Sequence, residues 1–193
     1  MQQDYAPAPL TLLDGAPDDD IALMLAAQHD SAYFARVYER FFQRIYGYCL
    51  RSVGNASEAE DLTSQVFIYA FRGIAGYRGG SVAGWLFRIA YGTVVNHYRQ
   101  SRPLVALDDH LPEIASDALE PLEVVMRSDS HRRLQALIDA LPPDERQLLA
   151  LKIEGELSSH EIGALLGKNP GAVRTQLHRI LKRLRQLYTQ GES

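Results

Sequence analysis

The segment Ser158–Leu187 reads SSHEIGALLGKNPGAVRTQLHRILKRLRQL, and it predicts two helices joined by a tight turn. Its opening serine is followed three residues later by Glu161, which is the capping-box spacing that starts a helix. Gly167 is placed to end this helix, because glycine adopts the left-handed conformation of a helix end without steric cost. Asn169 then supplies an N-cap for the second helix, and Pro170 is favoured at a first helical position.

The second helix of this segment is basic and contains no acidic residue. Its predicted apolar face consists of Val173, Leu177, Ile180, Leu181 and Leu184. A short helix, a turn of three to four residues and a longer basic helix are typical of a DNA-binding helix-turn-helix. The alternative is an ordinary helical hairpin with a solvated basic face.

In a helix-turn-helix, the first turns of the second helix face the base edges, and other cations contact the phosphates. The predicted base-reading residues are Arg174, Thr175, Gln176 and His178. The predicted phosphate-contacting residues are Lys168, Arg179, Lys182 and Arg183. We therefore expect this helix to bind duplex DNA.

The composition is that of a globular protein, with 193 residues of which 46% are hydrophobic and 23% are charged. The single cysteine, Cys49, excludes an internal disulfide and a cysteine-rich zinc site. No apolar run approaches the length of a membrane span, and no signal peptide opens the sequence. We therefore expect a cytoplasmic protein without a membrane span.

The charge is distributed unevenly along the chain, although its net value is only −4. Acidic residues collect near the start and between residues 108 and 129, whereas basic residues collect in residues 72–102 and in the last helix. A protein that reads DNA unaided is usually basic overall. A protein that a larger partner delivers to DNA need not be.

The periodicity of apolar residues predicts an all-α fold with two small helical domains. Residues 1–17 are expected to form a mobile tail, residues 18–102 the first domain, residues 103–121 an acidic flexible linker, and residues 122–190 the helix-turn-helix domain.

The predicted helices of the first domain cover Asp18–Gln28, Asp30–Val53, a third helix up to about Ile74, and about Ala83–Gln100. The third is expected to start with a capping box between Ser57 and Glu60. The second domain is expected to add Leu122–Ala140 and Asp144–Lys152 before the helix-turn-helix.

The glycine-rich segment Gly76–Gly84 lacks the residue spacing of a phosphate-binding loop. The helix after it combines aromatic residues with arginines, a combination that suits single-stranded nucleic acid. The same residues also fit apolar anchors in a core with arginines on a solvated face, so both interpretations remain open.

No catalytic constellation is present in the sequence. The six histidines are scattered, and none has the partners at metal-ligand spacing that a zinc or other metal site requires. The sequence therefore predicts no enzyme, no bound metal and no cofactor.

Three motifs resemble the bacterial sigma-70 family, specifically its extracytoplasmic-function (ECF) group, over Asp18–Leu187. Residues 58–62, EAEDL, together with Val66-Phe67, resemble its polymerase-docking motif. Residues 85–90, WLFRIA, resemble the helix that engages the minus-ten promoter element, and residues 141–179 resemble the domain that binds the minus-thirty-five element.

The resemblance implies an alternative sigma factor, which binds the beta and beta-prime subunits of core RNA polymerase and assists promoter melting. The residues it implies for polymerase binding are Asp61, Leu62, Gln65, Val66 and Phe67. Those implied for the melted minus-ten strand are Arg72, Tyr77, Arg78, Arg88, Asn96 and Arg99. The basic helix would read the minus-thirty-five duplex, and the family also implies an anti-sigma partner.

The sequence departs from the family pattern at three places. Ser64 and Gln65 stand where the family usually has Gln and an acid, and Gly92 and Asn96 stand where it usually has Asn and an acid. The turn at residues 154–157 is longer by one residue. The competing interpretations are a conventional helix-turn-helix regulator, which binds duplex DNA as a dimer, and an interaction protein whose N-terminal helices serve only for docking.

Overall fold

The computed structural model of the chain describes residues 19–101 and 129–190. Within these two ranges the fold contains eight α-helices, one short 3-10 turn at Ile74–Gly76 and no strand, as the all-α prediction requires. The helices are α1 (Asp20–Ala27), α2 (Ala32–Val53), α3 (Ala56–Gly73), α4 (Val82–Ser101), α5 (Asp129–Asp139), α6 (Pro143–Ile153), α7 (Ser159–Leu166) and α8 (Pro170–Gln190). The predicted tail, the predicted linker and the predicted helix start at Leu122 lie outside the described residues.

Helix α2 is the centre of the first domain, where it packs against α1, α3 and α4. The regular spacing of apolar residues along α2 places one face entirely in the core. The fully buried members of this face are Phe41, Ile45, Tyr48 and Cys49. The ring of Tyr48 meets the ring of Phe87 from α4 edge to face, with 5.5 Å between the ring centroids. These side chains form the centre of the core of the first domain, whereas Tyr38 on the same helix is 41% exposed.

The start of α3 differs from the prediction. The N-cap is Asn55, whose side chain accepts a hydrogen bond from the backbone N–H of Glu58 at 3.0 Å. Helix α2 ends at Val53, so the connection between the two helices is only Gly54-Asn55. The expected capping box at Ser57 was wrong, because the helix has already begun when the chain reaches this serine.

The second domain confirms the predicted caps of the helix-turn-helix. The hydroxyl of Ser158 accepts from the N–H of Glu161 at 3.2 Å, and the carboxylate of Glu161 accepts from the N–H of Ser158 at 2.8 Å. Gly167 ends α7 with a φ of 66°, and the Asn169 side chain accepts from the N–H of Gly171 at 2.8 Å. Helix α8 then packs against α5, α6 and α7.

The apolar face of α8 is narrower than predicted. Four of its five expected members, Val173, Leu177, Ile180 and Leu184, are buried, but Leu181 remains 49% exposed. Leu181 follows Ile180 directly, so the 100° turn per residue carries it to the edge of the apolar stripe. It therefore lies on the surface of the domain rather than in its core.

The two domains contact each other, since α2 of the first packs against α6 of the second. This contact had no counterpart in the prediction of two domains joined by a flexible linker. In the described part of the chain, no helix combines the length and the hydropathy that crossing a bilayer requires.

Candidate nucleic-acid and polymerase interfaces

The outer side of α8 presents the cations that the sequence assigned to DNA. The buried residues of this helix point towards α5, α6 and α7, so the opposite side faces solvent. The exposed members of the predicted DNA-binding set are Lys168, Arg174, Thr175, His178, Arg179, Lys182 and Arg183. Because the lysines and arginines of this set are all positively charged and no acidic residue lies on the helix, the surface attracts a phosphate backbone.

Two of the predicted base-reading residues are less able to contact DNA bases than the others. Gln176 is half-buried at the edge of the apolar face of α8. The hydroxyl of Thr175 donates to the carbonyl of Gly171 at 3.0 Å, which occupies its only donor. Arg174 and His178 are exposed, so they are the residues best placed to reach base edges from the first turns.

One of the predicted phosphate contacts is already engaged within the domain. The guanidinium of Arg183 forms an ion pair with the carboxylate of Glu145 on α6. This pair ties the recognition helix to the helix beneath it. Arg183 therefore has a structural partner in this arrangement, whereas Lys182 extends from the exposed side next to it.

Helix α4 carries an exposed polar stripe along its length. Arg88, Gly92, Asn96 and Arg99 follow each other at intervals of four, four and three residues, and all four are exposed. A Cβ atom built on Gly92 would meet nothing within 4 Å, so the middle of the stripe is open. Arg72, at the end of α3, is also exposed. These cations can contact the phosphates of a single nucleic-acid strand that runs along α4.

The glycine-rich loop holds its tyrosine inside the domain, contrary to the prediction. Tyr77 is only 2% exposed, and its hydroxyl donates to the carbonyl of Gly80 at 2.6 Å. Its ring meets that of Trp85 edge to face, and the amide of Gln28 donates to its carbonyl at 2.7 Å. Stacking of Tyr77 on a base does not fit this position. Arg78 is exposed beside it.

The predicted polymerase-docking residues of α3 separate into two groups. Asp61 and Gln65 are exposed, whereas Leu62, Val66 and Phe67 are buried in the core of the first domain. The three apolar side chains therefore cannot contact a partner directly, and their assignment as contact residues is corrected. Their burial fixes the rotation of α3, and this rotation directs the two polar side chains outwards.

The outer side of α3 also has two large apolar residues that the sequence analysis missed. Ile68 and Tyr69 are each 48% exposed on the same helix as Asp61 and Gln65. Their spacing could have revealed them, because they fall outside the i, i+4 series of Leu62, Val66 and Ala70. Exposed apolar residues rimmed by polar ones are typical of a protein-binding surface.

The ionisable groups with large pKa shifts lie away from these surfaces. Burial raises the pKa of the Cys49 thiol to about 11. Burial also raises the pKa of Tyr98 to about 12, and its hydroxyl donates to the carbonyl of Ser52. Within residues 19–101 and 129–190, no three His, Cys, Asp or Glu side chains are grouped so that they could hold a metal ion.

The exposed stripes on α3, α4 and α8 lie within the two segments that match known protein-family models. The model described as sigma-70 region 2 matches residues 37–103, and the model described as sigma-70 region 4 matches residues 131–184. The first segment contains the stripes of α3 and α4, and the second contains the helix-turn-helix.

The chain is also similar to curated proteins along most of its length. It is 37% identical over 145 residues to the ECF RNA polymerase sigma factor SigE of Mycolicibacterium smegmatis, covering 74% of this chain and 56% of that protein. It is 30% identical over 167 residues to the ECF RNA polymerase sigma factor SigW of Bacillus subtilis, covering 81% of this chain and 89% of SigW. The chain thus spans just over half of the first relative and most of the second.

The fold is also that of a solved sigma factor. The sigma factor RpoE of Bartonella quintana, co-crystallised with the anti-sigma factor NepR, superposes with a TM-score of 0.61 at 18% sequence identity. The superposition covers 81% of this chain and 96% of that structure. Together with the two family regions in order and the 30% identity to nearly all of SigW, this places the chain in the sigma-70 family, as a member of its ECF group of RNA polymerase sigma factors.

Proposed function

We propose that this chain is an alternative sigma factor, which binds core RNA polymerase, directs it to specific promoters and assists promoter melting. The observation that carries the proposal is the pair of exposed nucleic-acid stripes, on α4 and α8, in two segments that match the two sigma regions in order. A conventional helix-turn-helix regulator does not require a segment that matches sigma-70 region 2, such as residues 37–103.

Polymerase docking is assigned to the outer side of α3. Asp61 and Gln65 supply polar contacts there, and Ile68 and Tyr69 supply apolar surface. Leu62, Val66 and Phe67 act indirectly by fixing α3 in the core. The expected partners are the beta and beta-prime subunits of the polymerase, as the family resemblance implies.

Promoter contacts are divided between the domains. Residues 18–102 would capture the melted minus-ten strand, with cations along α4 neutralising phosphates, and residues 122–190 would read the minus-thirty-five duplex. The cations proposed for the minus-ten strand are Arg72, Arg78, Arg88 and Arg99, with Asn96 offering an amide to a base edge. Residues 103–121 would connect the two activities.

The remaining assignments follow from the same proposal. The chain would act by binding and not as an enzyme, without a cofactor, and in the cytoplasm, where the polymerase works. Because RpoE was crystallised with an anti-sigma factor, we also propose an inhibitory protein partner of that kind.

The test is polymerase co-purification combined with run-off transcription. Asp61→Arg reverses an exposed charge on α3, and Glu39→Arg makes the same change at an exposed position on α2. We expect the wild type and Glu39→Arg to co-purify with core polymerase and to support promoter-specific transcripts. We expect Asp61→Arg to lose both activities with an unchanged circular dichroism spectrum. Tight operator binding by the free chain, with no polymerase association in any variant, would favour the conventional regulator.

A further inference from the structure

The C-terminus of α6 is capped by an arginine from the other domain. Arg44 on α2 donates from Nε to the carbonyl of Glu154 at 2.8 Å and from Nη2 to the carbonyl of Gly155 at 2.7 Å. Carbonyls at a helix end lack helical partners and carry partial negative charge. The Arg44 guanidinium therefore supplies hydrogen-bond donors to two backbone carbonyls at the end of α6.

A side-chain ion pair lies beside this cap. Nε of Arg51 on α2 is 2.7 Å from Oε1 of Glu154, and both side chains are largely shielded from solvent. The same guanidinium donates from Nη1 to the side-chain oxygen of Gln135 on α5 at 3.3 Å. Partial burial weakens screening, so such a pair contributes more than one on an open surface.

Apolar packing and a second polar contact complete the interface. Phe87 and Leu157 are almost completely buried, and a Cβ atom on Gly155 would lie 3.2 Å from Cδ1 of Phe87. Partial burial acts to raise the pKa of Glu161, but hydrogen bonds from Ser158 in its own domain and Ser81 in the other lower it below its usual value. The two domains thus meet at several points.

We propose that Arg44, Arg51 and Glu154 form a latch that holds the two domains closed, and that the closed chain cannot engage a promoter until the latch opens. The latch itself rests on the contacts above. The inhibitory role rests on the proposed sigma-factor function.

The inhibitory role follows from the small size of the closed chain compared with the distance between the two promoter elements. A compact chain of 193 residues has a radius of gyration of about 16 Å. Promoter elements whose centres lie about 25 base pairs apart are separated by about 85 Å, at about 3.4 Å per pair. The 27 residues 102–128 between the two described segments could span at most about 97 Å if fully extended, at about 3.6 Å per residue. Only a chain whose domains have separated can therefore cover both elements.

The contact between Gly47 and Glu154 offers a variant that opens the latch without removing a charge. A Cβ atom on Gly47 would lie 2.8 Å from Oε2 of Glu154, and its three nearest neighbouring atoms all belong to that carboxylate group. Gly47→Leu would therefore displace Glu154 from Arg51. Leucine is a better helix former than glycine, so α2 should remain folded.

The latch is tested by the distance between two spin labels in the full-length chain, at exposed positions Ser64 on α3 and Gln186 on α8, in a Cys49→Ala background. We expect one narrow, short distance distribution in the otherwise unchanged chain. Gly47→Leu and the double variant Arg44→Ala, Arg51→Ala should shift it to longer and broader values. Arg40→Ala, whose arginine pairs with Asp20 inside the first domain, is the matched control and should change nothing.

A charge exchange separates the ion pair from general damage to the fold. Arg51→Glu and Glu154→Arg should each open the chain, and the two together should restore the short distance. Unchanged distances in Gly47→Leu and in the Arg44, Arg51 double variant would overturn the latch. Opening that the charge exchange fails to reverse would overturn the role of the Arg51–Glu154 pair.

The inhibitory role has its own measurement in unlabelled protein. If only the open fraction can cover both promoter elements, opening the latch lowers the chain concentration needed for half-maximal promoter-specific transcription with a fixed amount of core polymerase, in proportion to that fraction. We expect Gly47→Leu to lower this concentration at least threefold, and Arg40→Ala to leave it unchanged. Longer spin-label distances with an unchanged half-maximal concentration would overturn inhibition. A chain that never binds polymerase would instead overturn the proposed function and leave the latch standing.

Discussion

The guanidinium of Arg183 on the recognition helix pairs with the carboxylate of Glu145 on α6, so this cation links two helices of its own domain. Lys182, its neighbour in sequence, extends from the exposed side of the same helix. Two adjacent cations on α8 thus have different surroundings, and their substitution should have different effects.

Lys182→Ala should weaken binding of the holoenzyme to all promoters alike, because a phosphate contact carries no sequence information. The slope of log affinity against log salt concentration should fall by about 1. Arg183→Ala should change DNA binding less and lower the free energy of unfolding by at most about 1 kcal/mol, since the Arg183 side chain is 45% exposed and solvent screens the pair. Salt titrations and urea unfolding of both variants test this division, and a larger salt-slope change in Arg183→Ala would contradict it.

Arg174→Ala should alter sequence preference rather than general affinity. Arg174 is exposed in the first turns of α8, where a helix-turn-helix contacts base edges. Paired hydrogen bonds from a guanidinium to guanine provide about 1–3 kcal/mol of discrimination. We expect one or two upstream promoter positions to lose their preference when the holoenzyme selects from a randomised library. A uniform loss of affinity at all positions would mean that Arg174 contacts only the backbone.

Alkaline pH should destabilise the first domain. Burial raises the pKa of Cys49 from 9.0 to about 11 in the folded chain. Between these values the unfolded state releases the proton while the folded state keeps it, so the free energy of unfolding falls as pH rises from 9 to 11. Tyr98, raised from 10.0 to about 12, extends the loss to higher pH. Urea unfolding at pH 7.5 and pH 10 measures the effect, and Cys49→Ala should show a smaller decrease than the wild type.

Two glycine-to-alanine substitutions should change stability in opposite directions. Gly167 has a φ of 66°, which an alanine adopts only at a cost of about 1 kcal/mol. Gly92 lies within α4 with open space around its Cβ position, so alanine there should stabilise the chain by up to about 1 kcal/mol. Urea unfolding of both variants measures the sign of each change in the free energy of unfolding. Equal shifts in one direction would show that backbone conformation does not govern either position.

The helix-turn-helix could be predicted from sequence because its signals are local. Ser158 and Glu161 are three residues apart, and Gly167 and Asn169 mark the turn, so the caps depend on few residues beyond the segment itself. The polar stripe of α4 could be predicted for the same reason, since helical periodicity alone separates Arg88 and Asn96 from the core.

Other predictions failed where tertiary contacts decide between local options. Asn55 and Ser57 are both good N-caps two residues apart, and the chain uses Asn55. Tyr77 lies in a loop without periodicity, and it is held inside by Gln28, which is 49 residues away. The contacts of Arg44 with the end of α6 join residues 110 positions apart, so no local pattern could indicate them.

The burial of Phe87 and Leu157 where the domains meet bears on how long an unbound chain survives in a cell. When the domains part, apolar surface around these residues becomes accessible to water, and such surface attracts chaperones, proteases and other copies of the chain. Core polymerase that has bound an opened chain would shield this apolar surface from chaperones and proteases. The steady-state abundance of this sigma factor should therefore follow the number of vacant core enzymes, with any excess degraded rather than stored.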